Sequence, residues 1–307
     1  MKTIKDVFAE YRHGLDKLYH ANEIEAITLM VLIEICGLSK AKIKAFPELE
    51  LSEDQTKNAK HILNELKTGK PIQYILGKTE FYGLPFKVNP SVLIPRPETE
   101  ELVEWVISSI RSGQLSVGRG RWAIGSEQFA VGGLQLATGS ILDIGTGSGC
   151  IAITLKKNLP DFDVSAMDIS RKALQTAKEN AELNNVDINF IEADILDIKS
   201  EIEHPKSEII ISNPPYVTTH DKSQMHTNVI DFEPHAALFV PEDDPLIFYK
   251  AIADFAAIHL NPGGLLFFEI NENYAEQIVE LLRNKLFKNI ELRKDIGGRD
   301  RMVKADR

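Results

Sequence analysis

Asn213, Pro214, Pro215 and Tyr216 follow directly on Ile209, Ile210, Ile211 and Ser212. The β-branched run fits a buried strand. The two prolines end it, because neither can donate to a ladder and both fix φ. What is left at that strand end is a set of acceptors beside a flat ring. The Asn213 side-chain oxygen and the Pro214 carbonyl can take the two hydrogens of an NH2 group, and Tyr216 can stack on the plane attached to it. An amide nitrogen is a poor nucleophile because its lone pair is delocalised into the carbonyl. Holding both N–H bonds aims that nitrogen at an electrophile and favours partial pyramidalisation. No general base is needed if the proton leaves after positive charge has developed. A strand stop and a turn is the plainer reading of Pro-Pro, so the chemistry needs partners elsewhere in the chain.

Such partners lie upstream. "LDIGTGSGC" places Gly145, Thr146, Gly147, Ser148 and Gly149 between a strand and a helix, where backbone amides approach a nucleotide-like ligand. A dinucleotide fingerprint needs its third glycine at position 150, which is Cys150 here. The G-x-G-x-G spacing after Asp143 looks instead like a loop for S-adenosyl-L-methionine, although the loop by itself leaves either ligand open. The next strand ends at Asp168, placed to accept from ribose hydroxyls. The strand after that ends at Asp194, where adenine lies in such a layout. Each aspartate alone reads as a helix cap or a solvated turn. Three consecutive strands ending in a glycine loop, an Asp and an Asp are much harder to dismiss. With a methyl donor in that crevice, the electrophile for the held nitrogen is a methyl group.

The elements that must position these residues follow from periodicity. From the start to about Leu76 apolar residues recur every three and four, as in Val7, Tyr11, Leu15 and Leu18, which predicts helices. Ser52 before acidic residues marks the start of one that ends near Gly69. "FYGLPFKVN" alternates around Gly83 and Pro85 and predicts a hairpin or irregular strand pair. Pro97-Glu98-Thr99-Glu100 opens a helix, with proline early and acids in its first turn. From Ser140 strand and helix alternate, which implies a mainly parallel sheet covered on both faces. "NIELRKDI" and "RMVKAD", joined across "GGRD", add an antiparallel pair at the end. The expected fold class is therefore α/β: a seven-stranded Rossmann-like domain preceded by a small all-α domain. We expect a helical substrate-recognition domain at 1–76, a linking hairpin at 77–96 and the larger domain at 97–307. Within the last, residues 112–139 read as four heptads, SGQLSVG, RGRWAIG, SEQFAVG and GLQLATG. Glycine at every seventh place argues against a stable helix, and we read a repetitive insertion without a function of its own.

The 307 residues carry a formal net charge of −10, which argues against a large nonspecific nucleic-acid surface. The first 76 residues are neutral overall, so the rest of the chain carries the whole excess. Cys36 and Cys150 suggest neither a disulfide framework nor a zinc site. His220 and His226 lack metal spacing, and no metal is expected. "AITLMVLIEIC" is too short to span a bilayer, and the N-terminus is unlike a secretory signal. We expect a cytoplasmic protein without a membrane partner. Arg96, between Pro95 and Pro97, fits a fixed wall of the crevice or a surface salt bridge equally well.

Taken with "PIQYILGKTEFYGLPFKVNPSVLIPRPETEELV", "FEPHAAL" and "DIGGRDRMVKA", these motifs make the chain similar to the protein-(glutamine) methyltransferases that modify peptide chain release factors. The resemblance spans nearly the whole chain except the heptads. "NPPY" is shared with DNA amino-methyltransferases, whereas "EFYGLPF" followed by "LIPRPETE" is far more specific. The resemblance implies S-adenosyl-L-methionine contacts at Gly145 to Gly149, Asp168, the Asp194–Ile195 turn and Asn213. It implies contacts to a substrate glutamine at Asn213, Pro214, Pro215 and Tyr216, with Asn213, Pro214 and Tyr216 catalytic. The implied partners are class I release factors, modified in their Gly-Gly-Gln loop. Ile195 stands where relatives can carry an aromatic residue, and Pro245 where a glycine is expected. Two other functions use the same residues: amino-methylation of a DNA or RNA base, and cofactor binding without turnover. Against the first stand the acidic larger domain and the absence of a Lys/Arg-rich recognition segment.

Overall fold

The computed structural model describes residues 1–113, 139–197, 206–222 and 227–307. The chain divides into two compact units, the first formed by Met1–Gly77 together with a short later segment, the second by the remaining chain from Lys78. The first unit holds α1 (Ile4–Leu15), α2 (Ala21–Cys36), α3 (Lys40–Ala45), α4 (Glu53–Leu66) and α5 (Ile72–Leu76). Thr3 with Asp6 and Ser52 with Gln55 close capping boxes at α1 and α4. The apolar stripe Ile4, Val7, Tyr11 and Leu15 is fully buried against Leu32, Ile43, Ala59 and Leu66. Tyr11 satisfies its hydroxyl there on the Ala59 carbonyl, 2.7 Å away.

The second unit begins with the hairpin β1 (Lys78–Phe81) and β2 (Leu84–Lys87). Its two-residue loop, Tyr82-Gly83, has φ of 52° and 73°, the left-handed pair that a tight hairpin requires. Tyrosine is strained at that position. Two carboxylates of α6 (Pro97–Arg111) hold it: Glu100 accepts from the Tyr82 N–H at 2.8 Å, and Glu104 accepts from its hydroxyl. Then come β3 (Gly139–Ile144), α7 (Cys150–Asn158), β4 (Phe162–Asp168), α8 (Arg171–Asn184), β5 (Asn189–Glu192) and β6 (Ser207–Ser212). Short α9 (Thr219–Lys222) and α10 (Thr227–Phe232) follow, the latter grouping with the first unit. α11 (Ile247–His259), β7 (Leu260–Glu269), α12 (Ala275–Asn284), β8 (Lys288–Lys294) and β9 (Asp300–Asp306) complete the chain.

The seven-stranded sheet runs β5-β4-β3-β6-β7-β9-β8, parallel except at β9, which is antiparallel to both neighbours. The order reverses between β3 and β6, the place where open α/β sheets bind ligands. The isoleucine run is buried on both faces: Ile209 and Ile211 join the core under α6 and α7, and Ile210 joins the opposite one under α11 and α12. The heptads lie outside the described residues, apart from their first two positions and their last. No described helix is long and apolar enough to cross a membrane.

Candidate active site

Register puts the candidate residues in one row. Ile144 pairs with Met167 on one side and Ser212 on the other, and Ser212 pairs with Phe268. The next residues, Asp168, Gly145, Asn213 and Glu269, are therefore level across four parallel strands at their carboxyl ends. Asp194 follows the end of β5, whose Glu192 pairs with Asp168. Ser212 Oγ donates to the Ile144 carbonyl at 2.6 Å and ties the two central strand ends together.

The glycine loop turns on backbone geometry. Gly145, Gly147 and Gly149 all have positive φ. The Gly145 and Thr146 N–H groups donate to the Met167 carbonyl at 2.8 and 2.9 Å. A Cβ on Gly145 or Gly147 would meet nothing within 4 Å, so the loop turns bare backbone toward open space there. At Gly149 a Cβ would lie 2.9 Å from Ile153 and 3.1 Å from the Ala177 methyl, so glycine is needed for α7 to close on α8. Asn180 of α8 braces the loop from behind, donating to the Ser148 carbonyl at 2.9 Å and exchanging bonds with the Lys87 backbone. Thr146 donates to the buried Asp143 at 2.6 Å. Burial pushes Asp143 up to about 7, against the Thr146 hydrogen bond.

Asp168 accepts the Gly147 N–H and the Ser170 N–H, each at 2.8 Å and each on a different oxygen. Burial raises its pKa, and those two N–H groups oppose the rise. Each oxygen keeps a lone pair for a further donor. Ile169 beside it is 60% exposed, an apolar side chain that no burial argument explains and that sequence reading passed over. Asp194 caps its own turn by accepting the Leu196 N–H at 2.9 Å, and Ile195 packs half-buried against the sheet.

Pro214 is buried, while Asn213, Pro215 and Tyr216 are half-buried. Asn213 Nδ2 donates to Thr99 Oγ1 at 3.1 Å, and Thr99 donates to Glu269 Oε2 at 2.6 Å. The Tyr216 hydroxyl donates to the other Glu269 oxygen at 3.1 Å. Among the described residues no donor reaches Asn213 Oδ1 or the Pro214 carbonyl. Downstream, Asn271 donates to the Tyr216 carbonyl at 3.2 Å, and the Val217 N–H donates to the Leu238 carbonyl of "FEPHAAL" at 2.9 Å. Arg96 resolves as an ion pair at 2.6 Å to Glu233, whose side chain is only 1% exposed. Burial raises the Glu233 pKa and the Arg96 guanidinium opposes it. Sequence reading missed Thr99 as more than a first-turn residue, and it missed Glu269 altogether. The available signal was a glutamate closing the apolar strand "LLFFE".

A family model for the methyltransferase small domain matches residues 119–236, and one for the PrmC N-terminal domain matches residues 9–77. The release factor glutamine methyltransferase of Flavobacterium psychrophilum is 45% identical over 304 residues, covering 99% of both chains. That of Bacteroides thetaiotaomicron is 37% identical over 301 residues, covering 98% of this chain and 99% of its own. Among solved structures, the delta-N METTL16 methyltransferase domain is similar in fold, with a TM-score of 0.50 at 18% identity, covering 76% of this chain and 93% of that one.

Proposed function

The chain belongs to the release factor glutamine methyltransferase family, and from that premise we propose that it methylates the glutamine of the Gly-Gly-Gln loop in class I release factors. It is an S-adenosyl-L-methionine-dependent methyltransferase by family and fold. The bare backbone of Gly145 and Gly147, the Asp168 carboxylate level with it and the exposed Ile169 fit a nucleoside with a ribose to hold and an adenine to cover. Gly145 to Gly149, Asp168, Asp194 and Ile195 are the residues that would hold it, with Asn213 at its reactive end. When bound, S-adenosyl-L-methionine supplies a methyl group on a positively charged sulfur that leaves as a neutral thioether.

One observation carries the catalytic reading. The Asn213 nitrogen is committed to Thr99, which leaves its oxygen, with the Pro214 carbonyl, as a pair of acceptors level with the glycine loop. The pair takes both N–H bonds of the substrate side-chain amide and aims its nitrogen across the crevice. Tyr216 lies against the plane of the amide. As the C–N bond forms, the nitrogen becomes positive and its bonds to Asn213 and Pro214 strengthen, which is where transition-state stabilisation arises. One nitrogen proton is then lost to solvent, leaving N-methylglutamine.

The substrate is a protein rather than a nucleic acid, and the reaction belongs to the cytoplasm. The excess of acid outside the neutral first 76 residues supports the first point. The helical unit Met1–Gly77 holds the release factor by shape and apolar contact. Its removal raises KM for intact release factor far more than for a short glutamine peptide, whereas equal effects would reduce it to a folding support. Methyl transfer to purified release factor, with duplex DNA as the competing acceptor, tests the whole reading. Label in the DNA and none in the release factor would replace it with base methylation.

A further inference from the structure

We propose that Thr99 and Glu269 are positioning residues that fix which end of the Asn213 amide faces the substrate. A side-chain amide offers a donor and an acceptor of nearly equal size, so shape alone does not choose between the two flips. Polar bonding chooses here. Glu269 is 1% exposed, and burial raises its pKa, but both of its oxygens accept from hydroxyls, of Thr99 and Tyr216, and these bonds favour the carboxylate, which only accepts. The single Thr99 hydroxyl proton is committed to it at 2.6 Å, so Thr99 can offer Asn213 only a lone pair. Asn213 must answer with its NH2 group, which turns Oδ1 away from Thr99. The other flip would set the Asn213 oxygen against the lone pairs of the buried Thr99 hydroxyl, and it would offer the substrate amide a donor where an acceptor is needed. The second Glu269 oxygen accepts from Tyr216 at 3.1 Å, so one carboxylate orients both sides of the amide site. The register brings this about, since Glu269 and Asn213 are level on neighbouring strands and Thr99 enters from the first turn of α6.

The test rests on the proposed substrate in one arm only. In single-turnover methylation of release factor, Thr99→Val keeps shape but removes the hydroxyl, and the rate falls about 3- to 10-fold, the worth of one neutral hydrogen bond. Thr99→Ser restores the rate to within about twofold. In an Asn213→Ala background Thr99→Val has no further effect, because nothing is left to orient. A Thr99→Val loss of equal size in both backgrounds overturns the proposal, as does an unchanged rate. The other arm needs no turnover. In 15N–1H spectra the Asn213 side-chain NH2 pair, identified by its absence in Asn213→Ala, shifts in Thr99→Val and Glu269→Gln and stays in place in Thr99→Ser. A pair that ignores both substitutions refutes the orienting role. Shifts as expected in a protein that leaves release factor unmethylated would keep the positioning and reject the substrate.

Discussion

Two alanines in one loop separate ligand contact from packing. At Gly149 the added methyl has two costs. The residue sits at φ 81°, where an L side chain costs about 1–2 kcal/mol. Its Cβ would also lie 3.1 Å from the Ala177 methyl and 3.4 Å from the Ala177 Cα, which belong to a packed helix and cannot swing away as the Ile153 terminus can. Overpacking of that kind adds about 1–3 kcal/mol. Gly149→Ala therefore loses about 2–5 kcal/mol, a fall in Tm of roughly 5–15 °C for a unit of this size. At Gly147, φ is 54° and nothing lies within 4 Å of the new methyl, so only the backbone cost of about 1–2 kcal/mol applies. That methyl enters the open side of the loop, and its price appears in binding. Thermal unfolding without ligand, paired with calorimetric titration of S-adenosyl-L-methionine, reads both. Gly149→Ala should lose the greater stability, and Gly147→Ala the greater affinity, by tenfold or more. Full affinity in Gly147→Ala, or a parental Tm in Gly149→Ala, refutes the division of roles.

Two further outcomes concern the acids. Asp168→Ala removes the carboxylate that we propose accepts from the ribose and frees the Gly147 N–H it now holds, so S-adenosyl-L-methionine binding should weaken by about 2–4 kcal/mol in calorimetry while NAD stays unbound. Asp143, pushed up to about 7 by burial, loses its proton near 4 when unfolded. Its contribution to stability is present below about pH 4 and is lost as pH rises toward 7, so between pH 5 and 8 the ligand-free parent should lose on the order of 2 kcal/mol relative to Asp143→Asn in urea unfolding.

The row of strand ends was legible because its signals are local. A glycine loop, an aspartate and two prolines each stop a strand within a few residues of the apolar run that defines it, and alternation of period fixes the parallel sheet. The hairpin was legible from Gly83, but not the left-handed Tyr82, whose strain is offset by Glu100 and Glu104 about twenty positions on. What orients the amide was not legible at all. Thr99 and Glu269 are 170 residues apart and meet only because register and the entry of α6 bring them together. Each has a sufficient local explanation, one as a first-turn residue and the other as a polar strand end. Arg96 illustrates the same limit, since its partner Glu233 lies 137 positions away.

In the proposed reaction Asn213 accepts a hydrogen from the amide that is methylated. The direct measurement is single-turnover methylation of purified release factor by the parent and by Asn213→Ala at saturating S-adenosyl-L-methionine, with the methyl located by mass spectrometry and cofactor affinity measured separately. The expected result is label on the glutamine side chain, a rate loss of about 10²–10³ in the variant, and cofactor affinity within about tenfold of the parent. A variant that transfers methyl at the parental rate would contradict it and leave Asn-Pro-Pro-Tyr as no more than the end of a strand.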